Sequence, residues 1–576
     1  MGTQVIRGER ALATARNPDS RPAVWMMILL AGTAALAVVV PFFFLGNASG
    51  HDFEFHLASW MDVAHQWREG VIYPRWAELA NWGFGEPRFI FYPPASWMLG
   101  AALSFLFPWS MVPGAFIWLA LTLAGVSMYA LAREWLPWQD AMAAGVLFAV
   151  NPYHLVIVYW RSDFAELLAS ALIPLAVRYA MRTATAPRPS FISLALVVAA
   201  ICLCNAPAAV VATYGIALIL VVVAVRERSA RPLVYGGGAL ALGFSLAAFY
   251  IVPAMSEQAW VNISEVLAQG LRYPENFLFT RIADPEHTRF NFVVSWVAVA
   301  VIVATVAAII IAKFPTLAKE ARVGHPTRLW WVVLTVVIAS TSLMLPVSSP
   351  LWRHAPELRY VQFPWRWLLM LDVPLALCLA AAMGRLRGTW RQAGWVAALA
   401  GLAVIGLCLT RSNWWDAGGA AGFYEEHFRD GAGYFGVDEY GPRGSDHYDL
   451  DQKAPLVSLR PKRGEGGASV KVEQWAASRK QFVVYSPWPV TASLRLLNYP
   501  AWRVEVNGKP ARAVSSEHTH QMSVPLAAGT TRVQVTFATT PDRRWGDIIS
   551  AIAFLVLLLA VFASRRRPFI PSVDTP

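Results

Sequence analysis

The chain contains repeated stretches of about twenty residues without a charged side chain, such as Val24–Gly46 and Phe292–Ala312. A helix of that length crosses the roughly 30 Å hydrocarbon core of a bilayer, because each residue advances it by about 1.5 Å. Only 15% of the residues are charged, whereas soluble domains carry roughly 25%. The sequence therefore predicts a mostly α-helical, polytopic membrane protein.

Short basic segments separate many of these stretches, among them Arg182–Arg188, Arg226–Arg231 and Lys313–Arg328. Lysine and arginine collect in the cytoplasmic loops of membrane proteins, and the N-terminus is rich in arginine as well. We therefore predict a bacterial inner-membrane protein with both termini in the cytoplasm. The predicted crossings are residues 24–46, 111–132, 140–158, 165–182, 190–204, 206–226, 232–253, 291–312, 328–346, 365–384, 393–410 and 545–563.

The crossings divide the chain into domains. The predicted boundaries are a cytoplasmic tail 1–23, a transmembrane domain 24–410 with a first outer loop 47–110, an extracytoplasmic domain 411–544, a final helix 545–563 and a cytoplasmic tail 564–576. The apolar stretch Tyr92–Phe107 is short, has Pro93-Pro94 at its start and ends before Pro108, so we predict a re-entrant or interfacial element there.

The extracytoplasmic domain is predicted to be β-rich from about residue 456. Val470–Glu473 and Arg532–Phe537 alternate apolar and polar residues, as half-buried strands do. Asn507-Gly508 supplies the two positive-φ positions of a type I′ hairpin turn. The pattern is typical of a small antiparallel β-sandwich. This domain could act as a packing domain or lid, or it could contact a glycan.

The net charge of +11 does not indicate nucleic-acid binding, because no basic face with interleaved aromatic residues accompanies it. The four cysteines lie in apolar spans, which argues against a disulfide framework or a thiolate metal site. The sequence also has no Walker motif, so ATP-driven transport by this chain alone is not indicated.

Acidic residues and histidines follow the first predicted helix. Asp52, Glu54 and His56 share one face if the backbone is extended, whereas in a helix Asp52 and His56 lie one turn apart. Such a group could bind a divalent cation, or one carboxylate could act as a general base on a hydroxyl. The alternative is an ordinary helix-exit loop in which Asp52 is a cap and the charges are solvated.

A second predicted outer loop supplies Arg161, Asp163 and Glu166. Asp163 and Glu166 lie on one face at a helix start, and the helix dipole alone could explain two acids there. Two outer loops therefore each present a pair of acids close to the bilayer, which favours a shared functional site.

Four arginines lie in aromatic segments near the predicted outer surface, where they could grip a phosphate or serve as interfacial anchors. They are Arg75, Arg88, Arg359 and Arg366. Asp372 lies inside a predicted span, where an ionisable group suggests a function by default, although pairing with Arg366 or a nearby polar cavity is the plain alternative.

Five motifs together resemble a known family. They are Asp52-Phe53-Glu54-Phe55-His56, Tyr73-Pro74-Arg75-Trp76, Phe91-Tyr92-Pro93-Pro94, Phe363-Pro364-Trp365-Arg366-Trp367 and Asn498-Tyr499-Pro500-Ala501-Trp502. They resemble the GT-C superfamily of membrane glycosyltransferases, and more closely the bacterial membrane proteins related to 6-pyruvoyl-tetrahydropterin synthase. The resemblance spans most of the chain and implies a GT-C-like fold.

The resemblance implies transfer of a sugar from a polyprenyl-phosphate donor to a glycan or glycolipid of the cell envelope. Asp52 and Glu54 are the expected catalytic acids. The expected substrate-binding residues are His56, Arg75, Arg88, Arg161, Asp163, Glu166, Arg359 and Arg366. If a divalent cation, Mg²⁺ or Mn²⁺, takes part, its expected ligands are Asp52, Glu54, Asp163 and Glu166.

Two other functions fit the same scaffold. One is a non-catalytic factor for transport or assembly of lipids or polysaccharides, and the other is a degenerate transferase that only binds a lipid-linked glycan. All three functions have membrane lipid as a partner, and none requires nucleic acid.

Overall fold

The computed structural model describes residues 21–312, 326–411, 413–461 and 467–565. The predicted cytoplasmic tails and the basic segment Lys313–Arg328 lie wholly or mostly outside these described residues.

Ten described helices are long and apolar enough to cross a membrane, and two bent helix pairs raise the number to twelve if each pair forms one span. The spans are Ala23–Leu45, Val112–Ala132, Trp138–Arg161, Phe164–Arg182, Pro187–Cys204, Ala206–Glu227, Pro285–Ile311, Pro364–Arg385, Gly388–Arg411 and Pro541–Ala563, and the bent pairs are Arg231–Leu246 with Ala248–Trp260 and Leu329–Leu343 with Pro346–His354. These positions confirm the prediction of about a dozen crossings.

The spans differ in how deeply they are buried. The most hydrophobic part of Pro364–Arg385 is 89% buried, whereas that of Gly388–Arg411 is 6% buried. Because charged groups are tolerated in a bundle only where protein surrounds them, the buried central helices can carry arginines and acids. The lipid-facing helices at the edge cannot do so at the same depth.

The predicted first outer loop is itself helical. Its helices are Phe53–Arg68, Ala80–Gly83, Arg88–Phe91 and Pro94–Leu103. The last of these has ten residues, so it is roughly 15 Å long and too short to cross a bilayer. The apolar stretch Tyr92–Phe107 is therefore not a span, as predicted.

The described residues form three antiparallel sheets: a two-stranded pair that joins the first outer loop to the C-terminal region, and two larger sheets within that region. The strands are β1 (Asn47–Ala48), β2 (Trp415–Asp416), β3 (Val457–Pro461), β4 (Ser469–Ala476), β5 (Arg479–Ser486), β6 (Val490–Leu497), β7 (Trp502–Val506), β8 (Lys509–Ala511), β9 (Val514–Ser515), β10 (Gln521–Leu526) and β11 (Gly529–Phe537). The four-stranded sheet has the order β3-β6-β10-β9, and the five-stranded sheet has the order β4-β5-β11-β7-β8. Asn507 and Gly508 join β7 to β8 with φ of 50° and 75°, which confirms the predicted turn.

The β-sheets do not bury their apolar faces alone. Residues of β5, β6, β7, β10 and β11 form one core together with Trp76, Phe84 and Phe91 of the first loop. The helix Gly419–Arg429 packs on the helix Phe53–Arg68, and β1 pairs with β2. The first loop therefore holds the sheets against the bundle. The exact boundaries of the predicted domains stay a prediction.

Candidate active site

Backbone hydrogen bonds join the first loop to the turn that follows the span Trp138–Arg161. The amide of Asp52 donates to the carbonyl of Arg161 at 2.8 Å, and the amide of Gly50 donates to Ser162 Oγ at 3.0 Å. A Cβ atom on Gly50 would lie 2.5 Å from the carbonyl oxygen of Trp160, so this approach requires glycine. These contacts bring the two acidic loops together.

The helix Phe53–Arg68 begins directly after Asp52. The backbone after Asp52 is therefore helical and not extended, and Asp52 and His56 lie one turn apart on the same side of the helix. Glu54 lies on another side, where it accepts a hydrogen bond from Tyr424 at 3.0 Å. The structure therefore does not bring Glu54 to Asp52.

Arg161 connects the acids of both loops. Its Nη2 atom lies 3.2 Å from Asp52 Oδ2 and 3.1 Å from Asp163 Oδ2. Its Nη1 atom lies 2.6 Å from Glu166 Oε2. One guanidinium thus holds three carboxylates that come from two separate segments of the chain.

Arg366 enters the same group from the start of the most buried span. Its Nε atom lies 2.8 Å from Glu166 Oε2, and its Nη2 atom lies 3.3 Å from Asp163 Oδ2. His56 Nε2 approaches Asp163 Oδ1 at 3.8 Å. We call Asp52, His56, Arg161, Asp163, Glu166 and Arg366 the Asp52 network. All six were predicted site residues.

Asp163 also has the purely structural role that the sequence suggested, which is to stabilise the start of a helix. Its Oδ1 atom accepts the backbone amide of Glu166 at 2.9 Å, which caps the helix Phe164–Ser170. Glu166 Oε1 accepts a hydrogen bond from Tyr153. Capping uses Oδ1 of Asp163 and pairing with arginine uses Oδ2. Asp163 can therefore cap the helix and belong to the network at the same time.

Asp52 is the accessible acid of the network. Its side chain is 27% exposed, whereas Asp163 and Glu166 are buried. His51, whose side chain is 78% exposed, places Nδ1 2.9 Å from Asp52 Oδ1. With the histidines neutral, three carboxylates and two guanidiniums leave the network with one negative charge. A ligand would therefore meet the network at Asp52 and His51.

The neighbours of the two outer acids favour their ionised forms. Burial opposes ionisation of Asp52, but the hydrogen bond with His51 and the charge of Arg161 outweigh it and lower the pKa of Asp52. Burial also opposes ionisation of Asp163, yet Arg161, His56 and Arg366 hold the pKa of Asp163 well below its ordinary value. The hydrogen bond and charge of Asp52 raise the pKa of His51.

The short apolar helix Pro94–Leu103 begins beside the network. Tyr92 Oη lies 3.5 Å from His56 Nε2, and Ser96 Oγ lies 3.5 Å from His56 Nδ1. The Pro-Pro motif between these two residues therefore places an apolar helix next to the acids.

Three predicted arginines lie outside the network. Arg88 is buried and pairs with Glu86 at 2.6 Å, so its charge is already matched. Arg359 is exposed and donates to Tyr360 Oη at 2.8 Å, on the loop that leads to Arg366. Arg75 lines a separate cavity.

The predicted cation ligands fit a metal ion poorly. Glu54 lies elsewhere, and arginine nitrogens already contact oxygens of Asp52, Asp163 and Glu166. Another group in the described part has metal-like spacing: ligand atoms of His65, Glu69 and Glu78 lie within 4.8 Å of one another. Lys480 Nζ, however, pairs with Glu78 Oε1 at 2.6 Å.

Two residues of this site were not among the predicted site residues. His51 directly precedes Asp52 in the sequence, and this adjacency was an available signal. Tyr153 lies thirteen positions before Glu166, and no sequence pattern joins them, because the contact depends on the break between the helices Pro152–Val156 and Phe164–Ser170.

A family model described as the 6-pyruvoyl-tetrahydropterin synthase related domain, a membrane protein, matches residues 89–415, more than half of the chain. The chain belongs to this family. In this member of the 6-pyruvoyl-tetrahydropterin synthase related family, the matched segment contains Arg161, Asp163, Glu166 and Arg366 and begins after Asp52. No curated protein sequence matches the chain.

Solved structures with a similar fold include the arabinofuranosyltransferase AftD from Mycobacteria, with 16% identity, a TM-score of 0.41, and coverage of 66% of this chain and 26% of that one. ArnT from Cupriavidus metallidurans bound to undecaprenyl phosphate has 13% identity, a TM-score of 0.38, and coverage of 66% and 63%. The oligosaccharyltransferase AglB from Archaeoglobus fulgidus has 13% identity, a TM-score of 0.31, and coverage of 72% and 56%. The match therefore spans about a quarter of AftD and less than two thirds of ArnT.

Proposed function

We propose that this membrane protein is a glycosyltransferase that moves a sugar from a polyprenyl-phosphate donor to a hydroxyl of a cell-envelope glycan or glycolipid. The observation that carries the proposal is the arrangement of Asp52: an ionised, partly exposed carboxylate held by a buried arginine beside an apolar interfacial helix. In this proposal the network faces the outer side of a bacterial inner membrane, and both termini are cytoplasmic.

Asp52 is suited to orient and deprotonate an acceptor hydroxyl. Arg161 holds Oδ2, and His51 contacts Oδ1 from the exposed side, so the carboxylate has a fixed direction. As the acceptor oxygen attacks the anomeric carbon, its proton passes to Asp52 and the bond from that carbon to the phosphate oxygen breaks. The polyprenyl phosphate leaves with the electron pair of that bond.

The departing phosphate gains negative charge, which a nearby cation stabilises. Arg359 is the exposed arginine on the loop that supplies Arg366, and we assign it to the phosphate. The buried acids Asp163 and Glu166, together with His56, keep Arg161 and Arg366 in place. The helix Pro94–Leu103 offers an apolar wall for the prenyl chain.

The transfer reaction tests this assignment. Purified wild-type protein and the variant Asp52→Asn are supplied with a radiolabelled polyprenyl-phosphate sugar and an envelope glycan acceptor. We expect Asp52→Asn to lose transfer by roughly 10²-fold or more, as removal of a general base does. Glu54→Gln is the matched control, because Glu54 is two residues away and outside the network; it should retain transfer. Full transfer by a folded Asp52→Asn protein would overturn the proposal.

One observation favours a binding protein as the second candidate. Both arginines of the network are already paired with acids, so neither is a free cation for a leaving phosphate. If wild-type protein retains the labelled donor but transfers no sugar to any acceptor offered, the scaffold serves lipid or polysaccharide binding or assembly instead.

A further inference from the structure

A second polar site lies between the first loop, the end of β11 and the start of the final span. It is a cavity of about 210 Å³, which we call the Arg75 cavity. Its lining includes Gln66, Tyr73, Arg75, Ser478, Arg543 and Asp547. The site is distinct from the Asp52 network: Gln66 is fourteen residues beyond Asp52 on the helix Phe53–Arg68, so the two are roughly 21 Å apart along the helix axis.

Arg75 carries a charge without an acidic partner. Within the described residues no carboxylate lies within 4.0 Å of its guanidinium, and its hydrogen bonds to the carbonyl of Phe249 are long, at 3.4 and 3.5 Å. The guanidinium lies 4.6 Å from the centre of the Tyr73 ring. Burial lowers the pKa of Arg75, and the charges of the more distant acids Asp547 and Glu257 oppose this only in part, so the surroundings stabilise the cation less well than water does.

The neighbouring arginine in the cavity wall differs. Arg543 places Nε 2.7 Å and Nη2 2.8 Å from the two oxygens of Glu257. Its charge is therefore matched within the protein, and Arg75 is the cation that a ligand in this cavity would meet.

Tyr73 also lines this cavity. Its hydroxyl is buried and has no hydrogen-bond partner in the described part of the chain. A buried hydroxyl without a partner is costly, and an anion with several acceptor oxygens would satisfy both this group and Arg75. Phosphate has this chemistry, and arginine recognises it well.

The position of the cavity indicates the source of such a phosphate. Asp547 lies within the span Pro541–Ala563, and the neighbouring residues Trp545 and Ile548 are exposed on the outside of the bundle. The first residues of a span lie at the level of the lipid headgroups. A lipid with its headgroup in the cavity could place its chains along this apolar helix surface.

We infer that the Arg75 cavity binds the phosphate of a membrane lipid headgroup at a site separate from the Asp52 network. The inference does not depend on transferase activity. Asp547 adds a negative charge to the lining of the cavity, so a headgroup that carries an amine next to its phosphate is a better match than one with additional negative charge.

Lipid binding to the purified full chain tests this inference. Detergent-solubilised protein is mixed with phosphatidylethanolamine, and bound lipid is measured by native mass spectrometry. We expect Arg75→Met to bind roughly tenfold to hundredfold less tightly, since it loses a charge-assisted interaction. Tyr73→Phe, which removes a single hydroxyl and keeps the ring, should show a smaller loss. Arg353→Met, an exposed arginine outside the cavity, is the control and should match wild type.

Two further arms distinguish the sources of the phosphate and the two sites. Inorganic phosphate and free phosphoethanolamine should displace the lipid only weakly, because neither has chains to bury. Asp52→Asn should bind the lipid as wild type does. Equal lipid binding by Arg75→Met and wild type, or equal occupancy by inorganic phosphate and lipid, would overturn the inference.

Discussion

The Asp52 network and the Arg75 cavity both hold arginine in partly or fully buried surroundings, yet they treat its charge differently. In the network, Arg161 and Arg366 share three carboxylates. In the cavity, Arg75 has no acid within ion-pairing distance among the described residues. A network that is charge-paired in advance keeps its shape without a ligand, whereas an unpaired cation is stabilised when a ligand supplies the missing charge.

The two sites also differ in how the chain builds them. The network joins residues far apart in sequence, since Arg161 contacts Asp52 across 109 positions and Arg366 contacts Asp163 across 203. The arginine and tyrosine of the cavity are two residues apart in one loop. Damage to the network should therefore affect the whole bundle, while damage to the cavity should remain local.

The largest expected difference is in stability. Arg161→Met leaves three carboxylates without their common partner, and removal of one member of a buried ion pair costs about 3–5 kcal/mol. Arg75→Met should change the free energy of unfolding by about 0.5 kcal/mol or less, because no acid loses a partner. Unfolding of both variants in detergent measures the difference. Equal losses from the two substitutions would contradict the distinction between paired and unpaired arginines.

A smaller effect is expected where the two loops touch. Gly50→Ala places a Cβ against the backbone of Trp160, and overpacking of this kind costs about 1–3 kcal/mol. Gly422→Ala is the control, since a Cβ there meets nothing within 4 Å; it should be neutral or slightly stabilising. The free energy of unfolding and the transfer rate report the change, and a Gly50→Ala protein equal to wild type in both would show that the loop contact is not needed.

The smallest expected effect concerns pH. His51 lowers the pKa of Asp52 through its hydrogen bond, while burial works in the opposite direction. In His51→Ala the pKa of Asp52 should therefore rise, and transfer should fade at a higher pH than in wild type as the solution is acidified. His65→Ala, on the helix Phe53–Arg68 but outside the network, should leave the profile unchanged. If the transfer rate of His51→Ala fell at the same acidic pH as that of wild type, His51 would have no effect on the pKa of Asp52.

Sequence patterns predicted the parts of this molecule that depend on local order. Uncharged stretches such as Phe292–Ala312 predicted the spans, and Asn507-Gly508 predicted a hairpin turn. That Tyr92–Phe107 does not form a span followed from its length and its prolines. In each case hydrophobicity or backbone freedom over a few residues decides the structure.

Other features depended on contacts that no local pattern contains. The sequence predicted that Glu54 acts together with Asp52. The helix that begins at Phe53 instead directs Glu54 towards Tyr424. Arg88 looked available to a phosphate, but Glu86 occupies it. Lys480, which pairs with Glu78 across 402 positions, illustrates why the fit of the β-sheets to the first loop could not be read from either segment alone.

A double-mutant cycle between Asp52 and Arg161 tests the central claim most directly. The free energy of unfolding is measured for wild type, Asp52→Asn, Arg161→Gln and the double variant, with Glu54→Gln in place of Asp52→Asn as a parallel cycle. We predict a coupling of roughly 0.5–3 kcal/mol for Asp52 with Arg161 and additivity within about 0.5 kcal/mol for Glu54 with Arg161. Additive effects of Asp52 and Arg161 would show that the two loops do not share one network.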